Sequence, residues 1–166
     1  MQTNDFSALW APWRVEYFRQ TTRTDFFSEA AHTQDDEAHL VVSRRKSAFL
    51  MMNGYPYAVG HMMAVPYRKV ADIAELTTEE KLELWELAEV AQRLLREAVK
   101  AQGFNVGLNL GKCAGAGIAD HLHLHIVPRW EGDSNFMPVL ADTRVLPEAL
   151  TALYRRLVNV QAGWPV

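Results

Sequence analysis

Hydrophobic and polar residues alternate in short runs over the middle of the chain, a pattern typical of β-strands. HLVVS (39–43) and SAFLMMN (47–53) are predicted to be two strands joined by the polar turn RRK. The next run, GYPYAVG, carries two glycines and a proline and is predicted to be a loop. Three further strands are predicted, namely HMMAVP (61–66), NVGLNL (105–110) and HLHLHIVP (121–128).

A different period marks the segment 77–103, where apolar residues recur at helical spacing. Thr77 and Glu80 are placed to form a capping box, and Gly103 suits the C-terminal end of the helix. The predicted buried face comprises Leu84, Ala88, Ala91, Leu95 and Ala98. Pro147 can open a final helix. That helix would bury Leu150, Leu153, Tyr154 and Leu157. The order β-β-β-α-β-β-α predicts an α+β fold with a mainly antiparallel five-stranded sheet, one long helix and a C-terminal helix.

The length of 166 residues predicts one compact domain with a sizeable core. We divide it into an N-terminal arm (1–38), a core (39–130) and a C-terminal extension with a helix (131–166) that belongs to the same domain. The arm lacks clear periodicity, and its acidic stretch SEAAHTQDDEA is interpreted as a loop or a short helix. LWAPWR near the start is interpreted as an arm that packs on a surface.

Composition narrows the functional classes. The net charge of −3 gives no bulk basicity for binding nucleic acid or an anionic membrane. Apolar runs are only a handful of residues long, far short of a membrane span, and the N-terminus lacks the features of a signal peptide. Cys113 is the only cysteine, which excludes an internal disulfide framework and suits a reducing compartment. We therefore expect a soluble cytoplasmic protein.

The stretch HLHLHIVPRW carries the candidate chemistry. Side chains alternate across a strand, so His121, His123 and His125 are predicted to share one face. Leu122, Leu124 and Ile126 are predicted to share the other face, which can meet the core.

Three interpretations of these histidines are open from the residues alone. They can be a coincidence on a half-exposed strand. They can bind a metal, with His61 or Asp120 as a further ligand. Alternatively, one neutral imidazole can attack phosphorus while the others contact phosphate oxygens. The preceding loop GKCAGAG favours the third interpretation, because its small residues allow backbone N–H groups to approach an anion.

His121-Leu-His123-Leu-His125-Ile-Val resembles the signature of the histidine triad (HIT) superfamily of nucleotide hydrolases and transferases. SAFLMMNGYPYAVGHMMAVPYRKV and NLGKCAGAGIAD are similar to two further segments of that family, in order, over residues 39 to 130. LWAPWRVEY and PRWEGDSNFMPV resemble bacterial members related to diadenosine tetraphosphate phosphorylases and hydrolases. The resemblance implies a HIT-like fold and a homodimer whose two sheets join.

The resemblance also implies roles for individual residues. His123 would attack the α-phosphorus to form a nucleotidyl-histidine, assisted by His121, His125 and His61. Asn53 would bind the ribose, and either Phe49 or Leu50 would reach the base pocket. Asn109 and the backbone of Gly115, Ala116 and Gly117 would donate to phosphate oxygens. Apart from the resemblance, Lys112 could reach a distal phosphate, although a solvated loop lysine is the commoner case. Trp13, Arg14 and Trp130 could border the pocket of the same or a second subunit, although packing is the commoner role of a tryptophan.

The expected substrate is a dinucleoside polyphosphate such as diadenosine tetraphosphate. Hydrolysis of nucleoside phosphoramidates and a nucleotide-binding signalling role with little turnover are the alternatives. The nucleophile itself needs no metal, so Mg²⁺ is expected only as a companion of a polyphosphate substrate. Many bacterial relatives bind structural zinc through Cys-x-x-Cys near the position of Asp25-Phe26-Phe27. Because this chain has phenylalanines there, we expect no structural zinc.

Overall fold

A computed structural model describes residues 26–133 and 149–165 and contains a five-stranded sheet. The strands are β1 (Val41–Arg44), β2 (Ala48–Met52), β3 (Met62–Pro66), β4 (Gly103–Leu108) and β5 (Leu124–Arg129). They lie in the order β1-β2-β3-β5-β4, and every neighbouring pair is antiparallel. The predicted α+β fold is thereby confirmed. No helix among the described residues is long and apolar enough to cross a bilayer.

Helix α1 (Phe26–His32) precedes the sheet, α2 (Thr78–Val99) connects β3 to β4, and α3 (Leu150–Ala162) follows β5. The predicted capping box of α2 is confirmed, because Thr77 accepts from the Glu80 N–H while the Glu80 carboxylate accepts from the Thr77 N–H. The prediction that Gly103 ends this helix is wrong. Lys100 adopts the left-handed conformation (φ 55°) and closes the helix earlier, and Gly103 begins β4.

Helices α2 and α3 pack on one face of the sheet and form the larger core. Ala98 is only partly buried, whereas the other four residues of the predicted α2 face are buried. In α3, Leu150 is partly buried and packs against this core. Leu153, Tyr154 and Leu157 are buried, as predicted, and the Tyr154 hydroxyl donates to the Val41 carbonyl at 3.1 Å. Pro147 lies outside the described residues.

Helix α1 covers the opposite face of the sheet, and it is the short helix that the acidic stretch allowed. Phe27 and Ala30 form a second buried cluster with side chains from β1, β2 and β3. The strand residues of that cluster are Val41, Phe49, Met51, Met63 and Val65. Arg44 in β1 fixes the end of α1, because its guanidinium donates to the Ala30 carbonyl at 2.8 Å and to the Asp36 carboxylate at 2.6 Å.

Candidate active site

The three histidines of the motif lie on the face that α1 covers. The predicted alternation is confirmed, because Leu122, Leu124 and Ile126 join the core under α2. The regular strand is shorter than predicted and begins at Leu124. Upstream of it, the Leu122 N–H donates to the Val70 carbonyl at 2.7 Å rather than to a neighbouring strand. His121 and His123 therefore lie before the strand, outside the sheet pairing.

His61 enters the same cluster from the residue before β3. The turn that places it needs a glycine, because Gly60 has a φ of +78° and a Cβ there would lie 2.6 Å from the Leu95 Cδ2. His61 is 1% exposed, and its Nε2 lies 2.9 Å from the Nδ1 of His125. The side chains of β3 and β5 are thus joined directly by an imidazole–imidazole hydrogen bond.

The direction of that hydrogen bond follows from the groups behind His61. The Tyr57 N–H donates to His61 Nδ1 at 3.1 Å, and the Asn53 Nδ2 lies 3.3 Å from the same atom. Asn53 Oδ1 accepts from the Tyr55 N–H at 2.8 Å, which orients the amide with its NH₂ towards His61. Because His61 Nδ1 is an acceptor, the ring proton of neutral His61 lies on Nε2 and is donated to His125 Nδ1.

The same logic places the proton of neutral His125 on Nε2. That nitrogen lies 3.4 Å from the side-chain amide nitrogen of Asn109. Rotating the Asn109 amide by 180° brings its oxygen to this position, which is the arrangement that a donor on His125 requires. The single N–H of neutral His125 therefore points at Asn109 over a long contact, and an oxygen of a bound phosphate would replace Asn109 as its acceptor.

His123 has the opposite arrangement. Its Nδ1–H donates to the His121 carbonyl at 2.9 Å, so the lone pair of the neutral ring lies on Nε2. Burial lowers the pKa of His123 below the ordinary histidine value of 6.5; the hydrogen bond to the carbonyl opposes this shift, and the His121 side chain adds to it. Burial, and then repulsion from His125 and His123, hold the pKa of His61 well below 6.5. Both rings are neutral near pH 7, as a nucleophile and its support require.

Two aromatic residues complete the cluster. The Phe27 ring lies 5.3 Å from the ring of His121 and 4.8 Å from that of His123, between ring centroids. Tyr57 stacks on His61 at 4.6 Å. The sequence assigned neither residue to the site. Phe27 was noted only because many relatives have Cys-x-x-Cys near its position, and Tyr57 only as part of a predicted loop. Phe27 reaches the histidines through a tertiary contact from α1, whereas Tyr57 lies only four residues before His61, in a loop whose conformation no local pattern predicts.

His121 is fully buried, and its Nε2–H donates to the Pro66 carbonyl at 2.8 Å. It is the first of the three histidines, and this main-chain carbonyl holds its side chain in place. Of the two base-pocket candidates, Phe49 lies on the histidine face, whereas Leu50 points into the core under α2. Only Phe49 shares a face with the triad.

The glycine-rich loop before the triad folds into a single 3₁₀ turn, Lys112–Ala114. Two of the three predicted phosphate donors are engaged inside it, because the Gly115 N–H donates to the Lys112 carbonyl and the Ala116 N–H to the Gly111 carbonyl. No described residue accepts a hydrogen bond from the Gly117 N–H. Of the three predicted donors, Gly117 is therefore the one whose N–H is not engaged inside the loop.

Within residues 26–133 and 149–165, no group of three or more His, Cys, Asp or Glu side chains is arranged to hold a metal ion. Asp120, considered as a ligand, pairs with Lys69 at 2.8 Å. Trp130 packs against the core under α2 and donates its indole N–H to the Val99 carbonyl at 3.1 Å. Trp13, Arg14 and Asp25 lie outside the described residues.

Comparison with known proteins identifies relatives of this chain. The family model described as "HIT domain" matches residues 33–132. The chain is 39% identical to AP-4-A phosphorylase of Mycobacterium tuberculosis over 99% of its own length and 89% of that protein. It is 33% identical to bis(5'-adenosyl)-triphosphatase of Dictyostelium discoideum, over 52% of this chain and 57% of that protein.

Solved structures share the fold. A zinc-bound histidine triad family protein from Mycobacterium smegmatis superposes with a TM-score of 0.61 at 24% identity, over 74% of this chain and 84% of that one. A hypothetical histidine triad nucleotide-binding protein from Sulfolobus tokodaii gives a TM-score of 0.60 at 21% identity, over 81% of this chain and 91% of that one. At these identities the likeness concerns the arrangement of the backbone.

Proposed function

The chain belongs to the HIT domain family, and we propose that it cleaves dinucleoside polyphosphates such as diadenosine tetraphosphate through a nucleotidyl intermediate on His123. The observation that carries the proposal is the state of His123. Its ring is buried, its pKa is lowered, and its Nδ1–H is held by the His121 carbonyl, which leaves the Nε2 lone pair for attack. The 39% identity to a protein named AP-4-A phosphorylase supports the choice of substrate.

The reaction has two displacements at the same phosphorus. In the first, His123 Nε2 attacks the α-phosphorus, a P–N bond forms, and the bond to the bridging oxygen breaks to release ATP from diadenosine tetraphosphate. The Nε2–H of His125 donates to a phosphate oxygen as negative charge builds up. In the second, an oxygen of the acceptor attacks the phosphorus, the P–N bond breaks, and His123 is restored as a neutral imidazole.

We propose inorganic phosphate as the acceptor of the second step. The relative named as a phosphorylase aligns with nearly the whole chain, whereas the relative named as a triphosphatase aligns with only about half of it. Transfer to phosphate yields ADP, and transfer to water yields AMP. The pair of products therefore identifies the acceptor.

The test is to incubate the protein with diadenosine tetraphosphate in EDTA, with and without phosphate, and to separate the nucleotides. We expect ATP and ADP when phosphate is present, and loss of this activity in His123→Ala. His32→Ala is a matched control, because His32 is an exposed histidine at the end of α1. Tight nucleotide binding without turnover of this substrate would overturn the proposal, and AMP as the main product would overturn the choice of acceptor.

The covalent step has its own test. A single-turnover reaction quenched in base should contain AMP bound to the peptide that includes His123, because phosphoramidate bonds to histidine survive base. The label should disappear on addition of phosphate before the quench. Turnover without any labelled peptide would favour direct attack by the acceptor.

We propose a homodimer joined through β4. This strand pairs only with β5, so its other edge is open among the described residues. Val106 in this strand is 36% exposed, and Trp85 in α2 is 58% exposed. Trp85 lies on the flank of α2 that also carries Arg96, three turns later, whose guanidinium lies 5.0 Å from the Phe104 ring in β4. Light scattering should find a dimer that Trp85→Lys weakens, and a monomeric wild type would contradict the proposal.

We also propose that the protein acts in the cytoplasm and that Mg²⁺ acts only on the polyphosphate. The exposed thiol of Cys113 suits a reducing compartment. Turnover in EDTA supports the Mg²⁺ proposal. Activity lost in EDTA, and restored by Mg²⁺ without a change in substrate affinity, would contradict it.

A further inference from the structure

Gly107 occupies a position on β4 where the backbone does not need a glycine. Its φ does not fall in the left-handed region, unlike that of Gly60 or Gly111. A glycine inside a strand destabilises it by about 0.5–1 kcal/mol relative to alanine. A Cβ built on Gly107 would have no heavy atom of the described residues within 4 Å. Neither backbone strain nor crowding therefore accounts for the missing side chain.

The position matters because Gly107 lies directly opposite His125 in the antiparallel pair β4·β5. Directly opposed residues point their side chains to the same face, with Cβ atoms about 4.5–5.5 Å apart. The neighbours Phe104 and Leu108 pack on the α2 side, which confirms that position 107 faces the triad. Any side chain there would stand beside the imidazole that donates to the substrate.

The remainder of the triad face is filled. Across β3 and β2, the neighbouring side chains are buried apolar groups, and Phe27 lies over them and over His123. Among the described residues of a single chain, the face over β4 is open, since Gly107 is exposed and Asn109 is only partly buried. Glycine in a strand often marks a place where a ligand approaches the backbone closely. The open flank leads to the loop that carries Lys112 and Gly117.

A dinucleoside polyphosphate extends from both sides of the phosphorus that is attacked. The nucleoside kept on His123 and the departing nucleoside polyphosphate lie on opposite sides in an in-line displacement. The apolar side of the face is closed, because Phe49 and Met51 are fully buried under α1. The open polar side over β4 suits the departing chain of phosphates and its nucleoside.

We propose that Gly107 is a specificity-determining residue, which leaves a path beside His125 for a large leaving group. This inference rests on the proposed function and narrows its substrate class to nucleotides with an extended leaving group. A side chain at position 107 should obstruct that group without disturbing His123. It should leave a substrate with a small leaving group unaffected.

The experiment compares Gly107→Val with Gly103→Val. Valine favours strand structure, so both variants should fold. Gly103 is the matched control, because it lies on the same strand and face, four residues or about 13 Å away, and its Cβ would make only ordinary contact with Arg129 at 3.9 Å. Both variants are assayed with diadenosine tetraphosphate and with adenosine 5'-phosphoramidate, whose leaving group is ammonia. Gel filtration checks that their oligomeric state matches the wild type.

We expect Gly107→Val to lower kcat/KM for diadenosine tetraphosphate by about tenfold or more, in the range of a steric effect in a site. Its kcat/KM for the phosphoramidate should change by less than about twofold. A tenfold change corresponds to about 1.36 kcal/mol of activation free energy, so the expected change is well below that. Gly103→Val should leave both values unchanged. Equal losses on the two substrates, or no loss on either, would overturn the inference.

A binding measurement separates this inference from the proposed function. In a His123→Ala background, calorimetry gives the Kd values of diadenosine tetraphosphate and of AMP, which lacks a leaving group. Gly107→Val should weaken only the first. If the wild type fails to turn over diadenosine tetraphosphate, the proposed function fails, and the ratio of the two Kd values still decides whether position 107 controls access.

Discussion

The two faces of the sheet are both buried, but burial has a different role on each. Under α2 and α3, every buried sheet residue in the core is apolar, so burial there stabilises the fold by about 1.5–3 kcal/mol for each large side chain. The other face combines a smaller apolar cluster with four histidines that are each at most 8% exposed. Burying an imidazole is unfavourable unless it is hydrogen-bonded.

The structure meets this requirement with a chain of specific partners. His121 and His123 donate to backbone carbonyls, and His61 is held by a main-chain N–H. Alternation in the triad segment thus assigns Leu122 and Leu124 to stability and the histidines between and beside them to chemistry. Substitutions on the two faces should therefore have separable effects on stability and on turnover.

The largest separation is expected at His123. His123→Ala should reduce kcat by at least about 1,000-fold, as removal of a covalent nucleophile does. Its free energy of unfolding should stay within about 1 kcal/mol of the wild type, because losing a buried polar ring offsets part of the lost packing. Urea denaturation and initial rates measure the two quantities. A decrease of several kcal/mol in the free energy of unfolding would contradict the distinction between the two faces.

The reverse pattern is expected at Leu94, which is fully buried under α2. Leu94→Ala should lower the free energy of unfolding by about 2–5 kcal/mol, since it removes packing and leaves a cavity. The kcat of the folded protein should be unchanged well below its melting temperature. Leu82→Ala, on the same helix but 59% exposed, is the control and should change stability by less than about 0.5 kcal/mol.

Gly60 affects both faces of the sheet, because it packs against α2 on one side and directly precedes His61, which points to the other. Gly60→Ala should lower the free energy of unfolding by roughly 1–3 kcal/mol, owing to its positive φ and to the contact with Leu95. It should also reduce kcat, because His61 would shift. Gly54→Ala is the control, since a Cβ there meets nothing within 4 Å. A loss of stability with full kcat would show that His61 tolerates movement of its turn.

The smallest expected effect concerns pH. The lowered pKa values of His61 and His123 mean that the folded protein keeps both rings neutral below pH 6.5, whereas the unfolded chain protonates them. Stability from these groups is therefore complete above pH 6.5 and falls as the pH drops below it. The acid limb of kcat/KM should also lie below pH 6.5. A limb at or above 6.5 would contradict a neutral, buried nucleophile.

Local patterns predicted the fold well because strand alternation, helical spacing and capping are written in neighbouring residues. The faces of the triad strand and the cap at Thr77 are examples. Features set by distant partners were missed. The strand begins late because Leu122 pairs with Val70, and two of the loop amides turn inward. Gly103 was misjudged because a left-handed lysine had already closed the helix.

The site also depends on distant partners. Phe27 contacts the histidines from α1. Its neighbour Phe26 is also a phenylalanine, so the sequence alone does not indicate which of the two lies at the site. Tyr57, although only four residues from His61, fixes the ring of His61 through a main-chain N–H, which no residue type encodes. The tautomers of His61 and His125 follow only once these contacts are known.

The position of β5 has a consequence for the order of assembly. It is the last strand of the sheet to be synthesised, yet it lies between β3 and β4, and β4 has no other partner among the described strands. The His61–His125 bond spans 64 residues. Contacts of such high sequence separation form slowly. A nascent chain that ends before residue 124 would therefore expose strand edges on β3 and β4, and would have no complete site until β5 inserts between them.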